Sequence, residues 1–459
     1  MLFQILLSQC FSSFPINNTC TDKNYLFHCG ELMTCINNTC QFCTNHEQCR
    51  LNHDHINYFC RYSSHYDSNI CTFEPITHEY KIPHILGAVF VFLLGIIVPL
   101  SGIDGGFIFI PLIITSFLPP LKYLASLSSS LLCGSSFISF ILNLFQKHPI
   151  YQRPLINYNV IAIFEPLSWI GSVFGIILCS ILPNWVILCI NLIFLLFGSI
   201  FNFIIGVRRN MKKYRKQFLF SETELVSFPS PYLGPAYSRF LVLALFHLWF
   251  VFMLFPFLRG GDRLPSIAYF SACSELYWLF TFLPLVIYLV FEIFAIRTVR
   301  SYPVLGQSAD VKLFDYVLIV FLSLFSGVFS GLLGFSGEFV KGPLLSLLCL
   351  EFGEAHATSQ MMMFFTSSVT SLQFIANGIL NYKDFFILAG FQVIPSIIGN
   401  FLNRKLKDRF DVKGRFLIVI SIFCLIGFAG SLYFTYKDLQ SAVKDHHHFK
   451  LYDFCLLSD

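Results

Sequence analysis

Two stretches of this chain, 232 positions apart, hold the residues best suited to chemistry. Ser101 to Pro111 reads S-G-I-D-G-G-F-I-F-I-P, and Gly331 to Pro343 reads G-L-L-G-F-S-G-E-F-V-K-G-P. At this offset Gly102 falls on Gly334, Gly105 on Gly337 and Pro111 on Pro343, and Ala125-Ser126 falls on Ala357-Thr358 without a gap. A glycine-rich break in apolar sequence, repeated in two halves, points to a transporter's binding site. A helix interrupted inside a membrane exposes backbone N–H groups and a positive dipole end, and both suit an anion. Gly102, Gly105, Gly106, Gly334 and Gly337 would let that backbone come close. Small residues also let membrane helices touch, so packing is the competing account of each glycine.

Hydroxyl and amide groups follow each break. Ser126, Ser128, Ser129 and Ser130 follow the first, and Thr358, Ser359, Gln360, Thr366, Ser367 and Ser368 follow the second. Such donors bind an oxyanion without a buried fixed charge, although helix–helix hydrogen bonding is the simpler account of any single one, and an equal account of Ser126 and Thr358, which are matched between the halves. Asp104, Glu338 and Lys341 lie in or beside the breaks, and Glu165 lies in a later apolar segment. Ionisable groups within membrane segments are functional candidates by default. Lys341 could attract an anion, and Asp104 or Glu338 could carry a coupling proton or pair with Lys341. Glu338 and Lys341 are three residues apart, so a local pair is the simpler expectation. Glu165, just before Pro166, reads as a buried protonated carboxyl.

The elements that position these groups must be membrane helices. Of 459 residues, 55% are hydrophobic and 12% charged, against roughly 25% charged in soluble domains. No soluble fold of this size buries that much apolar surface, so the expected class is an all-α polytopic membrane protein whose surroundings are a lipid bilayer. A net charge of +4 gives no basis for nucleic acid. No catalytic constellation stands out, no cofactor is implied, and an enzyme is disfavoured.

Eight of the sixteen cysteines (Cys20, Cys29, Cys35, Cys40, Cys43, Cys49, Cys60 and Cys71) precede the first apolar span. That density suggests an oxidising compartment and up to four disulfides, with pairing left open. Zinc is the rival, since Cys40 and Cys43 have ligand spacing and His28, His46, His53 and His55 are near. Asn17-Asn18-Thr19 and Asn37-Asn38-Thr39 are glycosylation sequons. Residues 1–13 read as a short signal peptide without a basic n-region, and 14–83 as a small Cys-rich ectodomain outside the membrane. The membrane is the plasma membrane or another of the secretory pathway.

Apolar segments lie at about 84–101, 107–118, 121–146, 157–182, 184–206, 239–258, 271–296, 314–333, 339–350, 356–380, 384–402 and 414–436. A span needs about 20 residues. Segments 107–118 and 339–350 are too short and read as arms of re-entrant hairpins or halves of broken helices. Arg208 to Lys216 is strongly basic and belongs in the cytoplasm. Three crossings separate it from the ectodomain if 84–118 is a hairpin. Two more helices, with no counterpart elsewhere, start the second copy from inside. The halves are then inverted repeats, 84–206 and 314–436. Between them lie a basic linker, 207–238, and an inserted helix pair with its loop, 239–313; a tail, 437–459, follows. Later in each half the offset is 224, matching Asn157-Tyr158 with Asn381-Tyr382, Ser172 with Ser396 and Gly175 with Gly399.

With these motifs quoted, the chain resembles the sulfite exporter TauE/SafE family of membrane transporters. The resemblance spans about Ile85 to Gly206 and Tyr316 to Tyr433. It rests on a G-x-x-G-G…P pattern followed by A-[ST]: Gly102-Ile103-Asp104-Gly105-Gly106…Pro111 with Ala125-Ser126, and Gly334-Phe335-Ser336-Gly337-Glu338…Pro343 with Ala357-Thr358-Ser359. Asp104 and Glu338 depart from the small residues usual there, and the ectodomain and inserted pair lie outside the core pattern. The resemblance implies secondary transport of sulfite, a sulfonate or a similar small sulfur-containing anion. The gradient would be an ionic one, with H+ a candidate coupling ion. The alternative class is a membrane receptor or interaction protein that uses the ectodomain.

Overall fold

A computed structural model describes residues 19–20, 29, 33–53, 58–63, 68–73, 82–101, 105–117, 121–148, 153–219, 238–260, 266–268, 274–300, 313–337, 340–342, 345, 352–405, 421–422, 425, 427–433 and 436. Gly102, Asp104, Glu338, Pro343, the signal-peptide reading and the tail lie outside the described residues.

The N-terminal region has two small antiparallel hairpins: β1 (Thr34–Ile36) with β2 (Thr39–Gln41), and β3 (Tyr58–Ser63) with β4 (Ser68–Phe73). Helix α1 (His46–His53) lies between them in the chain. All eight cysteines form disulfides: Cys20–Cys35, Cys29–Cys40, Cys43–Cys60 and Cys49–Cys71. No thiolate among the eight is left for zinc. The bridges interleave in two successive pairs, and each pair repeats one plan. Cys35 lies opposite Cys40 in the first hairpin and Cys60 opposite Cys71 in the second. Strands of three and six residues cannot bury enough apolar area to fold alone. Bridges closing 11 to 22 positions are what hold them. Asn37 and Asn38 take φ of 53° and 62°, the backbone a tight hairpin turn needs and asparagine tolerates. The Asn37 sequon therefore sits exposed on a turn.

The membrane region follows as α2 (Ile82–Ser101), α3 (Gly106–Phe117), α4 (Leu121–Leu144), α5 (Tyr158–Ile181), α6 (Asn184–Leu219), α7 (Arg239–Arg259), α8 (Glu275–Arg300), α9 (Leu313–Leu333), α10 (Phe352–Ala376), α11 (Tyr382–Phe391) and α12 (Val393–Lys405). Among the described residues, five helices are long and apolar enough to cross a membrane: α4, α5, α7, α8, and α11 with α12 read through. The twelve-residue α3 starts directly after the first break, as its segment length implied.

Two boundaries differ from the sequence reading. Helix α6 runs on to Leu219 through the basic stretch read as a linker. Between Val207 and Leu219 there is no glycine or proline, and Lys, Arg and Gln favour helix. Segment 384–402 is broken at Gln392, whose N–H turns back to the Ala389 carbonyl at 3.2 Å. Pro395 has no N–H for the Phe391 carbonyl four residues before it, which weakens the ladder there.

Burial sorts the helices. In α5, 94% of the most apolar window is buried, against 22% in α7 and 28% in α8. Helix α5 is therefore central. Helices α7 and α8 expose Phe240, Leu243, Phe250, Val286, Val290 and Ile293, an apolar surface suited to lipid.

Close contacts of bare backbone tie the centre together. Helices α5 and α9 cross at Gly171 and Gly175 on one side and Gly327 and Gly331 on the other. A Cβ at Gly171 would strike the Leu324 carbonyl, and one at Gly327 the Ser168 carbonyl. These are small-xxx-small seams. One contact occurs twice. Gly175 abuts the Val328 carbonyl, and Gly399 abuts the Ile96 carbonyl. Gly399 is Gly175 shifted by 224, and Val328 is Ile96 shifted by 232.

Helices α4 and α10 cross antiparallel. Ser136 meets Ser367 at 3.4 Å, and further along α4 Phe140 stacks on Phe364 at 5.3 Å. The disulfide-bonded N-terminal region packs on one end of this pair, where Tyr123 and Ile379 join the core of Cys43, Cys49, Tyr58, Cys60 and Cys71.

Candidate functional site

The second break begins where α9 ends. Gly334 and Gly337 have φ of +77° and +78°, a region that costs any residue with a side chain about 1–2 kcal/mol. Space adds to this requirement. A Cβ at Gly334 would run into the Ala125 backbone of α4, and one at Gly337 into Ser326. Ser128 then donates to the Gly334 carbonyl at 2.8 Å, and Ser326 to the Gly337 carbonyl at 3.1 Å. The second half's break is thus seated on the first half's α4, at the A-S pair singled out in the sequence.

The first break joins it. Phe107, in the first turn of α3, stacks on Phe335 at 4.7 Å. The Gly105 carbonyl accepts the N–H groups of Ile108 and Phe109 at 3.0 and 2.9 Å, starting α3. A Cβ at Gly105 would press on the side-chain tips of Leu132 and Val98, so the packing there is close although the backbone does not demand glycine. Gly106 is buried beside it.

The hydroxyls divide by what they already hold. Ser126 donates to the Tyr123 carbonyl of its own helix at 2.8 Å. Thr358 accepts the Asn157 N–H at 3.0 Å, where Asn157 caps α5 and also donates to Glu354 at 2.9 Å. Asn381, the match of Asn157 at 224, caps α11 by accepting the Lys383 N–H at 3.2 Å. Ser336 and Ser359 are buried near the second break and the start of α10 respectively.

Among the described residues, the charge facing Lys341 comes from a distant helix; Glu338 lies outside them. Lys341, on the helical turn after the second break, meets Glu165 of α5 at 2.5 Å. Both are 0% exposed. Lys341 also donates to Thr366 at 2.8 Å; Thr366 donates to Glu165 at 2.9 Å, and so does the Trp169 indole at 3.0 Å. The carboxylate thus receives three donors and the ammonium two acceptors, the condition on which a buried pair is tolerable. Glu165 is therefore the partner of Lys341 and joins the two halves across 176 positions.

A second buried cation, Arg259 at the end of α7, was not singled out by its sequence context. It donates to Gln373 at 3.1 Å and Asn377 at 3.2 Å and lies over the Tyr277 ring at 5.0 Å. It fastens the α7–α8 pair to the end of α10.

Glycine-broken apolar segments meeting inside a bundle of lipid-length helices define a polytopic integral membrane protein with a polar centre. The chain belongs to the sulfite exporter TauE/SafE family, whose model matches residues 86–428. Three Arabidopsis thaliana proteins are similar to it. Sulfite exporter TauE/SafE family protein 1 is 25% identical over 377 residues, spanning 75% of this chain and 81% of the relative. Family protein 5 is 24% identical over 364 residues, 73% of this chain and 79% of the relative. Family protein 6 is 23% identical over 333 residues, 71% of this chain and 75% of the relative. No solved structure matches the chain.

Proposed function

We propose that this protein is a secondary transporter of a small sulfur-containing anion, sulfite or a related sulfonate. The anion binds where the two glycine breaks meet, and access alternates as two inverted repeats, 84–206 and 314–436, rock about that point. The observation that carries the reading is the junction itself: Gly334 against Ala125 and Ser128, with Phe107 on Phe335. The family name supports the chemistry of the cargo. The twice-made contact of Gly175 and Gly399 supports the repeats, since each half lays the same helix on its counterpart in the other.

In this reading the binding groups are backbone at Gly102, Gly105, Gly106, Gly334 and Gly337, with Ser126, Ser336, Thr358 and Ser359 as side-chain donors. Lys341 keeps Glu165 as its partner in the resting state and offers its remaining N–H to the anion. Asp104 and Glu338 are the proton-coupling candidates. The ectodomain lies outside the cytoplasm, over the ends of α4 and α10.

The test is uptake of radiolabelled sulfite by proteoliposomes holding the purified protein, with and without a pH gradient. Saturable uptake that a pH gradient accelerates is the expected result. No saturable uptake of sulfite or of an organosulfonate, from folded protein, would overturn the reading and return the ectodomain-based receptor to first place.

A further inference from the structure

Gln360 is 0% exposed, yet neither its Oε1 nor its Nε2 has a hydrogen-bond partner. Among the described buried amides, Asn191 shares this state, while others are paired. Gln373 accepts from Arg259, Asn157 donates to Glu354, and Asn400 donates to Ser139 at 2.9 Å. A primary amide that gives up water and gains nothing is a standing cost to the fold. Its place explains why it would be kept. Gln360 lies one helical turn before Met363 on α10, on the same side of the helix. Met363 packs in the cluster that contains Phe107, Phe335 and Ala125. Ser367, two turns on, faces Ser136 across the seam between the halves. At the 232 offset Gln360 is the counterpart of Ser128, the residue whose hydroxyl holds the Gly334 carbonyl. One half therefore uses this position to secure a break, while the other leaves a free donor and a free acceptor there.

We infer that Gln360 is a substrate-binding residue that recognises a singly protonated sulfur oxyanion. This rests on the transport reading above. Its Nε2 donates to an anionic oxygen and its Oε1 accepts from the anion's O–H. Sulfite carries a proton near neutral pH and offers both groups, whereas sulfate is a dianion with acceptors only. The Oε1 lone pairs would then face sulfate oxygens with no proton between them. The amide selects for the protonated anion through the same unpaired-group penalty that lets hydrogen-bonding sites reject analogues lacking a hydroxyl.

Sulfite uptake and its inhibition by sulfate test this in proteoliposomes of the wild type, Gln360→Met and Gln360→Glu, beside the melting temperature of each. Methionine has a similar shape and no hydrogen-bonding groups. The expected result is a KM for sulfite raised about tenfold or more, with melting unchanged or higher and weaker discrimination against sulfate. Glutamate keeps the volume and loses the amide donor, and it should lose sulfite affinity as well; it carries the test if the methionine variant does not fold. An unchanged KM and unchanged sulfate discrimination in either folded variant would overturn the inference and leave transport standing. No sulfite uptake by the wild type would overturn both.

Discussion

Lys341→Met is expected to destabilise the protein by about 3–5 kcal/mol, because it leaves the Glu165 carboxylate buried with no counter-charge. Trp169 and Thr366 would still donate to it, at 3.0 and 2.9 Å in the wild type, but two neutral donors do not replace an ammonium at 2.5 Å. Glu165→Leu should be costly for the converse reason, with Lys341 left unpaired. The double variant Lys341→Met/Glu165→Leu removes both charges and should recover most of the loss, since well-packed apolar pairs replace buried ion pairs at little cost. Thermal unfolding in detergent of the four proteins gives the coupling directly. Singles that melt like the wild type, or a double variant as unstable as the sum of the singles, would show that the pair does not join the halves.

Gly327→Leu should be at least as damaging. The first added carbon already falls on the Ser168 carbonyl. Neither partner at this crossing can give way by turning a side chain, because the opposing atoms are backbone. Overpacking usually costs about 1–3 kcal/mol, and a clash of helix against helix exceeds that range. Purification should yield little folded monomer, read by size-exclusion chromatography of a fluorescent fusion. Gly390→Leu is the matched control, since a Cβ there meets nothing within 4 Å. Equal yields from the two variants would contradict the close α5–α9 crossing.

Much of this architecture could be read before the fold was known, and the reasons are local. The helices announce themselves by apolar length, the short α3 by its twelve residues after the break, and the paired N-caps by Asn157-Tyr158 and Asn381-Tyr382. The second glycine break was legible because φ near +77° at Gly334 and Gly337 strongly favours glycine. What could not be read depends on distant residues. Glu165 and Lys341 are 176 positions apart, and nothing in the spacing links them. The disulfide pairing has no local signal, and the crossing glycines Gly171 and Gly327 resemble any small residues until their partners are known. Gln360 was grouped with the hydroxyls beside it. Only its lack of a partner distinguishes it from Ser128, and that is a property of the fold.

The most direct test of the central claim is sulfite flux through Gly337→Leu. Leucine there would need φ of +78° and would collide with Ser326, so the second break could not keep its shape. The claim predicts that saturable flux is lost while the disulfide-bonded N-terminal region stays as resistant to protease as in the wild type. Wild-type flux in this variant, at equal incorporation, would contradict it and move the transport site away from the glycine breaks.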